Sequence, residues 1–268
     1  MDDTRPRLIV HAGFHKTGTS TVQRMLARGR RPLGRIARVL LKTDMQPLCA
    51  ATRAAALRPS EDALATVQAE AAALFATLDP TDPRTVLISA EDLCGLIPGR
   101  HDRLGYPMAG PLLARLRAGI RDAWPGGPGA ETFYFSTRAP DPWIRSCHAH
   151  HLRHTRLTLD LDSYRAQQAP AADLAAIAAG LAPHLPGAQL VSRPLEALTT
   201  LPLGPLAPLA SLLDIPAPLL ARLRPIRPRN TALPPDLLQQ FLALNRSDLG
   251  PEALAQAKQA LIDATRSG

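Results

Sequence analysis

Short apolar runs along this chain alternate with stretches whose apolar residues recur at helical spacing. Leu8-Ile9-Val10-His11-Ala12 is a β-branched run ending at Gly13, the pattern of a buried strand. After Gly18 the pattern turns helical, with Val22, Met25 and Leu26 on one face. Ser60-Glu61-Asp62 opens an Ala-rich helix running to about Leu78, and Asp79-Pro80-Thr81-Asp82-Pro83 ends it as a turn. Thr85–Ser89 and Thr132–Ser136 are two further strands, separated by a helix from about Pro111 to Trp124. Asp141-Pro142 then starts a helix, with Asp as N-cap and Pro at the first helical position. Gln189–Ser192 is a weaker fourth strand, and helices near 237–244 and 252–264 follow. The segments near 42–60, 95–110 and 150–170 carry no readable periodicity and are expected to be loops.

Strands alternating with helices predict an α/β fold in three α/β/α layers around a central, mostly parallel sheet. No low-complexity linker divides the 268 residues, so a single domain over 1–268 is expected. Ligands in such sheets bind past the carboxyl ends of the strands. Gly13, Glu91 and Arg138 each fall just past such an end.

Composition narrows the partners without choosing among them. The formal charge of +8 suits an anionic ligand, a nucleic acid or an acidic polymer. Aromatic residues make up only 4% and no recognition motif is present, so nucleic acid is not expected. Cys49, Cys94 and Cys147 are too scattered for a disulfide framework or a zinc site. The start of the chain does not read as a signal peptide, and its longest uncharged stretch, 197–213, is broken by Pro202, Pro205 and Pro208. A cytoplasmic protein without stable membrane insertion is the expectation.

Gly13-Phe14-His15-Lys16-Thr17-Gly18-Thr19-Ser20 has the glycine spacing of a phosphate-binding loop (P-loop). Glycines allow successive N–H groups to face one anion, and the following helix adds its positive end. Hydroxyls at Thr17, Thr19, Ser20 and Thr21 add donors there. A nucleoside-triphosphate loop carries Lys before its Ser/Thr, but here that position is Thr19 and the lysine sits earlier, at Lys16. Glu91 and Asp92 follow the second strand as candidate bases. His148, His150, His151 and His154 cluster on one helix without a carboxylate or Cys at metal-motif spacing, and are expected to line a cleft or face water. No metal is expected.

The run from His11 to Ser20 resembles the 5′-phosphosulfate loop of sulfotransferases that use 3′-phosphoadenosine 5′-phosphosulfate (PAPS). Arg138 and Ser146, eight residues apart in Arg138-Ala139-Pro140…Ser146, are similar to the Arg/Ser pair with which that family holds the 3′-phosphate. Arg227-Pro228-Arg229-Asn230 resembles its basic C-terminal segment, with Arg229 as a further phosphate contact. The resemblance implies PAPS bound by His15, Lys16, Thr17, Gly18, Thr19, Ser20, Thr21, Arg138, Ser146 and Arg229. It further implies in-line sulfuryl transfer to a hydroxyl or amine of a small molecule, lipid or carbohydrate, with Lys16 stabilising the leaving oxygen. Glu91 is the first choice of base, with Asp92, His15 or His101 as alternatives. A P-loop kinase or NTPase, with Ser89-Ala90-Glu91-Asp92 as its acidic strand end, is the enzymatic rival. A nucleotide-binding module without catalysis is the other.

Overall fold

The computed structural model describes residues 5–100, 103–223 and 233–267. In chain order the elements are β1 (Leu8–His11), α1 (Thr19–Leu33), β2 (Ala37–Leu41), α2 (Gln46–Leu57), α3 (Glu61–Ala76), β3 (Thr85–Ser89), α4 (Ala109–Ala123) and β4 (Glu131–Thr137). They continue as α5 (Pro140–His154), α6 (Leu161–Gln168), α7 (Leu174–Ala179), β5 (Gln189–Pro194), α8 (Leu195–Leu198), α9 (Ala207–Leu212), α10 (Ala217–Leu220), α11 (Pro235–Arg246) and α12 (Pro251–Ser267). The chain gathers into two compact units, the first made of 1–97, 106–139 and 174–228, the second of 98–105, 140–173 and 229–268.

The first unit holds a five-stranded sheet, every pairing parallel, in the order β2-β3-β1-β4-β5. It is the expected α/β sheet, and helices flank it. Successive residues of a strand point to opposite faces, and in β1 both faces are buried, as a doubly covered parallel sheet requires. On one face Ile9, Leu87 and Tyr134 pack with Val22, Met25 and Leu26 of α1 and with Leu206 and Leu209. β2 is an edge strand that the sequence pattern did not reveal. Its alternation is only five residues long, Ala37, Val39 and Leu41 buried with Arg38 exposed, and it follows directly on an arginine-rich helix end. The helix expected from Ser60 on is α3, and Ser60 caps it, its hydroxyl accepting from the Ala63 N–H at 3.1 Å.

Helices α3 and α4 pack closely against each other, and Trp124, just past α4, donates to the Phe75 carbonyl at 3.2 Å. Gly119 makes this approach possible. A Cβ there would stand 2.1 Å from the Gln68 carbonyl oxygen and 2.8 Å from the Ala71 methyl.

In the second unit Phe241, Leu237 and Leu152 form a small core with partly buried Leu157, Leu261 and Ile262. Helix α5 ends in carbonyls that need donors. Lys258 supplies two, to the Leu152 and Thr155 oxygens at 2.8 and 2.7 Å, and Asn245 donates to Leu152 and Leu157. Two local expectations are corrected here. Helix α5 begins at Pro140, so Asp141 is not its N-cap; it lies in the first turn and pairs with Arg145 one turn on, and with Arg165. His148 and His151 do not face water. Both are buried, against the carbonyls of Leu159 (3.0 Å) and Pro98 (2.7 Å). Among the described residues no helix is long and apolar enough to cross a membrane.

Replacing Gly119 by Ala is expected to destabilise the first unit by about 1–3 kcal/mol, the usual cost of forcing a methyl into a packed contact. The measurement is the shift in urea midpoint, and an unchanged midpoint would show that the α3–α4 approach can relax.

Candidate functional site

Three neighbouring strands finish in one polar row. The pairing sets His11 beside Ser89 on one side and Tyr134 on the other. His11 Nδ1 lies 2.8 Å from Ser89 Oγ, and its ring stacks on Tyr134 with centroids 5.1 Å apart. Neither His11 Nε2 nor the Tyr134 hydroxyl has a hydrogen-bond partner among the described residues. Burial holds the His11 imidazole neutral, its pKa depressed to about 3, and pushes the Tyr134 phenol up.

The segment from Ala12 to Gly18 crosses above this row into α1. Gly13 is required there, because a Cβ would meet Thr19 Cγ2 at 2.8 Å and both His11 Nε2 and Ser136 Oγ at 2.9 Å. Thr17 pins the loop from inside: its buried hydroxyl donates to the Phe14 carbonyl (2.5 Å) and sits 2.7 Å from Ser136 Oγ on β4. Any contact from Thr17 to an anion therefore falls to its backbone N–H. Lys16 adopts φ 66° and Gly18 φ 93°. A lysine in the left-handed region costs about 1–2 kcal/mol, and the surrounding bonds must hold it there. Among the described residues no backbone acceptor takes the N–H of Thr17, Gly18, Thr19 or Ser20. These donors, at the positive end of a 15-residue helix, suit an anion.

Arg138 follows β4 directly and reaches the loop, its guanidinium donating to the Lys16 carbonyl at 3.1 Å. One guanidinium carries five N–H donors, so this bond leaves capacity for a ligand. β1 and β4 are adjacent, yet the chain leaves β1 toward β2 and leaves β4 toward β5, on opposite sides. Loop and arginine thus meet at the point where the winding of the sheet reverses, the place where open α/β sheets bind ligands.

Past β3, Glu91–Cys94 form a 3₁₀ turn. Gln23 of α1 donates to Glu91 Oε2 at 2.7 Å, which holds the carboxylate beside the first turns of that helix. Asp92 points inward instead, its side chain only 4% exposed, and meets Arg53 at 2.5 Å, Lys42 at 2.6 Å and His15 Nε2 at 3.8 Å. Burial alone would raise its pKa. His15, Lys42 and Arg53 more than reverse this and hold it at about 2. His15 is fixed on its other side by Tyr106, whose hydroxyl accepts from the His15 N–H at 2.9 Å and lies 3.3 Å from Nδ1. Ligand atoms of His15, Glu91 and Asp92 all lie within 4.8 Å of one another, close enough for a cation. Two protein cations already neutralise Asp92, which weakens that use.

The structure brings His15, Lys16, Thr17, Gly18, Thr19, Ser20, Thr21, Glu91 and Arg138 to the carboxyl end of one sheet. Thr19 is buried, Ser20 is exposed, and the Thr21 hydroxyl accepts weakly from Arg24 at 3.5 Å. Ser146 lies half-buried on α5, in the second unit. His101 and Arg229, with the rest of 227–230, lie outside the described residues. Sequence reasoning missed Lys42, Arg53, Gln23, Tyr106 and Ser136. Lys42 follows the unrecognised β2, and Arg53 sits on α2, in a stretch expected to be loop. The signal for α2 was the Ala-rich run 50–56, whose helix preference is high. Comparison with family models, with curated proteins and with solved structures finds no match.

The depressed His11 pKa has a consequence for stability. The unfolded chain binds this proton near pH 6.5 and the folded chain only near pH 3, so acid favours unfolding. The contribution of neutral His11 is intact above pH 6.5 and is lost as pH falls toward 3. Between pH 6.5 and 4.5 the native chain is expected to lose roughly 2–3 kcal/mol more stability than a His11→Gln variant. Urea unfolding of both at the two pH values measures this; parallel losses would refute it.

Proposed function

We propose that this chain is a PAPS-dependent sulfotransferase. The observation that carries the reading is the meeting of Lys16 and Arg138 at the sheet's reversal point, above a helix N-terminus with open N–H donors. In this reading the N–H groups of residues 17–20 hold the 5′-phosphosulfate, and Arg138 grips the 3′-phosphate through charge-assisted bonds. The acceptor is a hydroxyl or amine of a small molecule, lipid or carbohydrate.

Transfer breaks the bond between sulfur and the bridging oxygen of the phosphosulfate and forms one between sulfur and the acceptor oxygen or nitrogen. The acceptor's proton passes to Glu91. The negative charge that gathers on the departing phosphate is met by the Lys16 ammonium, so the main demands on the protein are positioning and charge stabilisation. Asp92 is poorly suited to the base role, because Lys42 and Arg53 keep its carboxyl at about 2 and hold it inward. Glu91, held by the neutral Gln23 amide, suits it better.

One observation favours a second reading. The proximity of His15, Glu91 and Asp92 would suit a metal-assisted phosphoryl transfer, as in a P-loop kinase or NTPase. Calorimetry separates the two. Adenosine 3′,5′-bisphosphate is expected to bind with chelator present, and Arg138→Ala to weaken it about 10–100-fold while changing adenosine 5′-phosphate binding much less. Magnesium-dependent ATP turnover with no heat from the bisphosphate would reverse the assignment. With a transferable acceptor such as a nitrophenol, Lys16→Ala is expected to lower turnover about 10²–10³-fold. Glu91→Gln is expected to do so with binding of the bisphosphate unchanged.

A further inference from the structure

Helix α1 spans 15 residues, about 20 Å, so its carboxyl end lies far from the loop that starts it. At that distant end the first unit holds a cleft of about 650 Å³, between the α1–β2 connection and α10. A cleft of this size accommodates a small molecule. Arg31, Arg35 and Arg222 rim it, while Ile36, Leu219 and Pro216 contribute apolar surface. Ile36 and Leu219 are partly buried extensions of the core beneath, so the floor is anchored.

The three arginines differ from several others on this protein. Arg7, Arg30, Arg84, Arg115, Arg117 and Arg165 each pair with a carboxylate. Among the described residues, Arg31, Arg35 and Arg222 have no carboxylate and no side-chain hydrogen bond, although Arg30 beside them reaches Asp44. Three positive charges crowded around an apolar floor repel one another, and an anion placed among them relieves that repulsion. Guanidinium groups suit carboxylate, sulfate or phosphate oxygens, with two parallel bonds available from each. Among the described residues the lining contains no aromatic ring on which a nucleobase or sugar could stack. An apolar body with one anionic head satisfies both surfaces at once.

We propose that this cleft binds a small anionic amphiphile. Its head is held by Arg31, Arg35 and Arg222, and its apolar body lies along Ile36, Leu219 and Pro216. The site is independent of the transferase reading, since it shares no residue with the loop, Arg138 or Glu91.

The test uses the full chain and decanoate below its micelle concentration, followed by calorimetry. Saturable binding at one site is expected, with inorganic sulfate and neutral decyl maltoside each binding at least about 10-fold more weakly. The triple variant R31A/R35A/R222A is expected to lose decanoate binding about 10-fold or more, and the triple Lys variant to retain part of it. Binding of adenosine 3′,5′-bisphosphate, measured in parallel, is expected to be the same in all three proteins. Phosphatidylglycerol vesicles form the second arm. Sedimentation of the protein with vesicles, without binding of monomeric decanoate, would overturn the proposal in favour of a membrane surface. Decanoate binding that the Ala substitutions leave unchanged, or equal binding of the neutral detergent, would overturn it outright.

Discussion

A single buried carboxylate organises the acidic side of this site. Asp92 cannot stay ionised out of water without partners, because an unpaired charge there would cost several kcal/mol. Lys42 and Arg53 provide them, each from a different element, and both are only partly withdrawn from solvent, with side chains 43% and 38% exposed. The arrangement limits the usual penalty of a buried pair: one charge is buried, and the two that meet it keep much of their hydration. Its structural effect is to tie the end of β2 and the middle of α2 to the turn after β3. Once Asp92 is drawn inward, its neighbour Glu91 is left to meet Gln23 at the edge of α1. Two adjacent acids thereby acquire different environments, one locked as an anion among cations and one beside a neutral amide.

The same logic governs the loop. Its inner surface is finished by the protein itself, through the Thr17–Phe14 and Thr17–Ser136 bonds and the close fit of Gly13 over His11. Its outer surface is left with N–H donors that the helix cannot satisfy. The strained Lys16 backbone lies between these two surfaces, and the Arg138 bond to its carbonyl helps hold it. Such preorganisation suits an anionic ligand, because donors already aimed at its charge need no reorientation when it binds. The neutral His11 ring beneath the loop adds no charge of its own.

Much of this was legible in the amino-acid order, and the illegible parts share a cause. β1, β3 and β4 are largely apolar runs bounded by Gly, Pro or charged residues, so their pattern survives without knowledge of their neighbours. Gly13, Glu91 and Arg138 could be placed because each closes such a run. β2 was invisible because its five residues derive their stability from pairing with β3 and not from their own pattern. Lys42 and Arg53 went with it, since an ion pair across 39 or more residues leaves no local trace. The histidine group failed in the opposite way. Four histidines on one helix look like a surface chemical device, yet His148 and His151 are buried at carbonyl oxygens of the second unit, which only tertiary packing reveals.

Charge distribution along α1 connects the two ends of this helix. Its first turn contains no acid, and its last turn carries Arg30 and Arg31. Basic residues near a helix carboxyl end are favoured by the dipole, so their presence needs no ligand. The dipole is screened within a turn, however, and Arg35 and Arg222 lie beyond the helix, where it gives them little. An acid in the first turn would likewise have stabilised α1 and is absent where it would compete with an incoming anion. The helix is thus left without the local compensation that an isolated helix would favour at its start, and has more positive charge at its far end than its own dipole requires. Both departures agree with the separate anionic ligands proposed for its two ends.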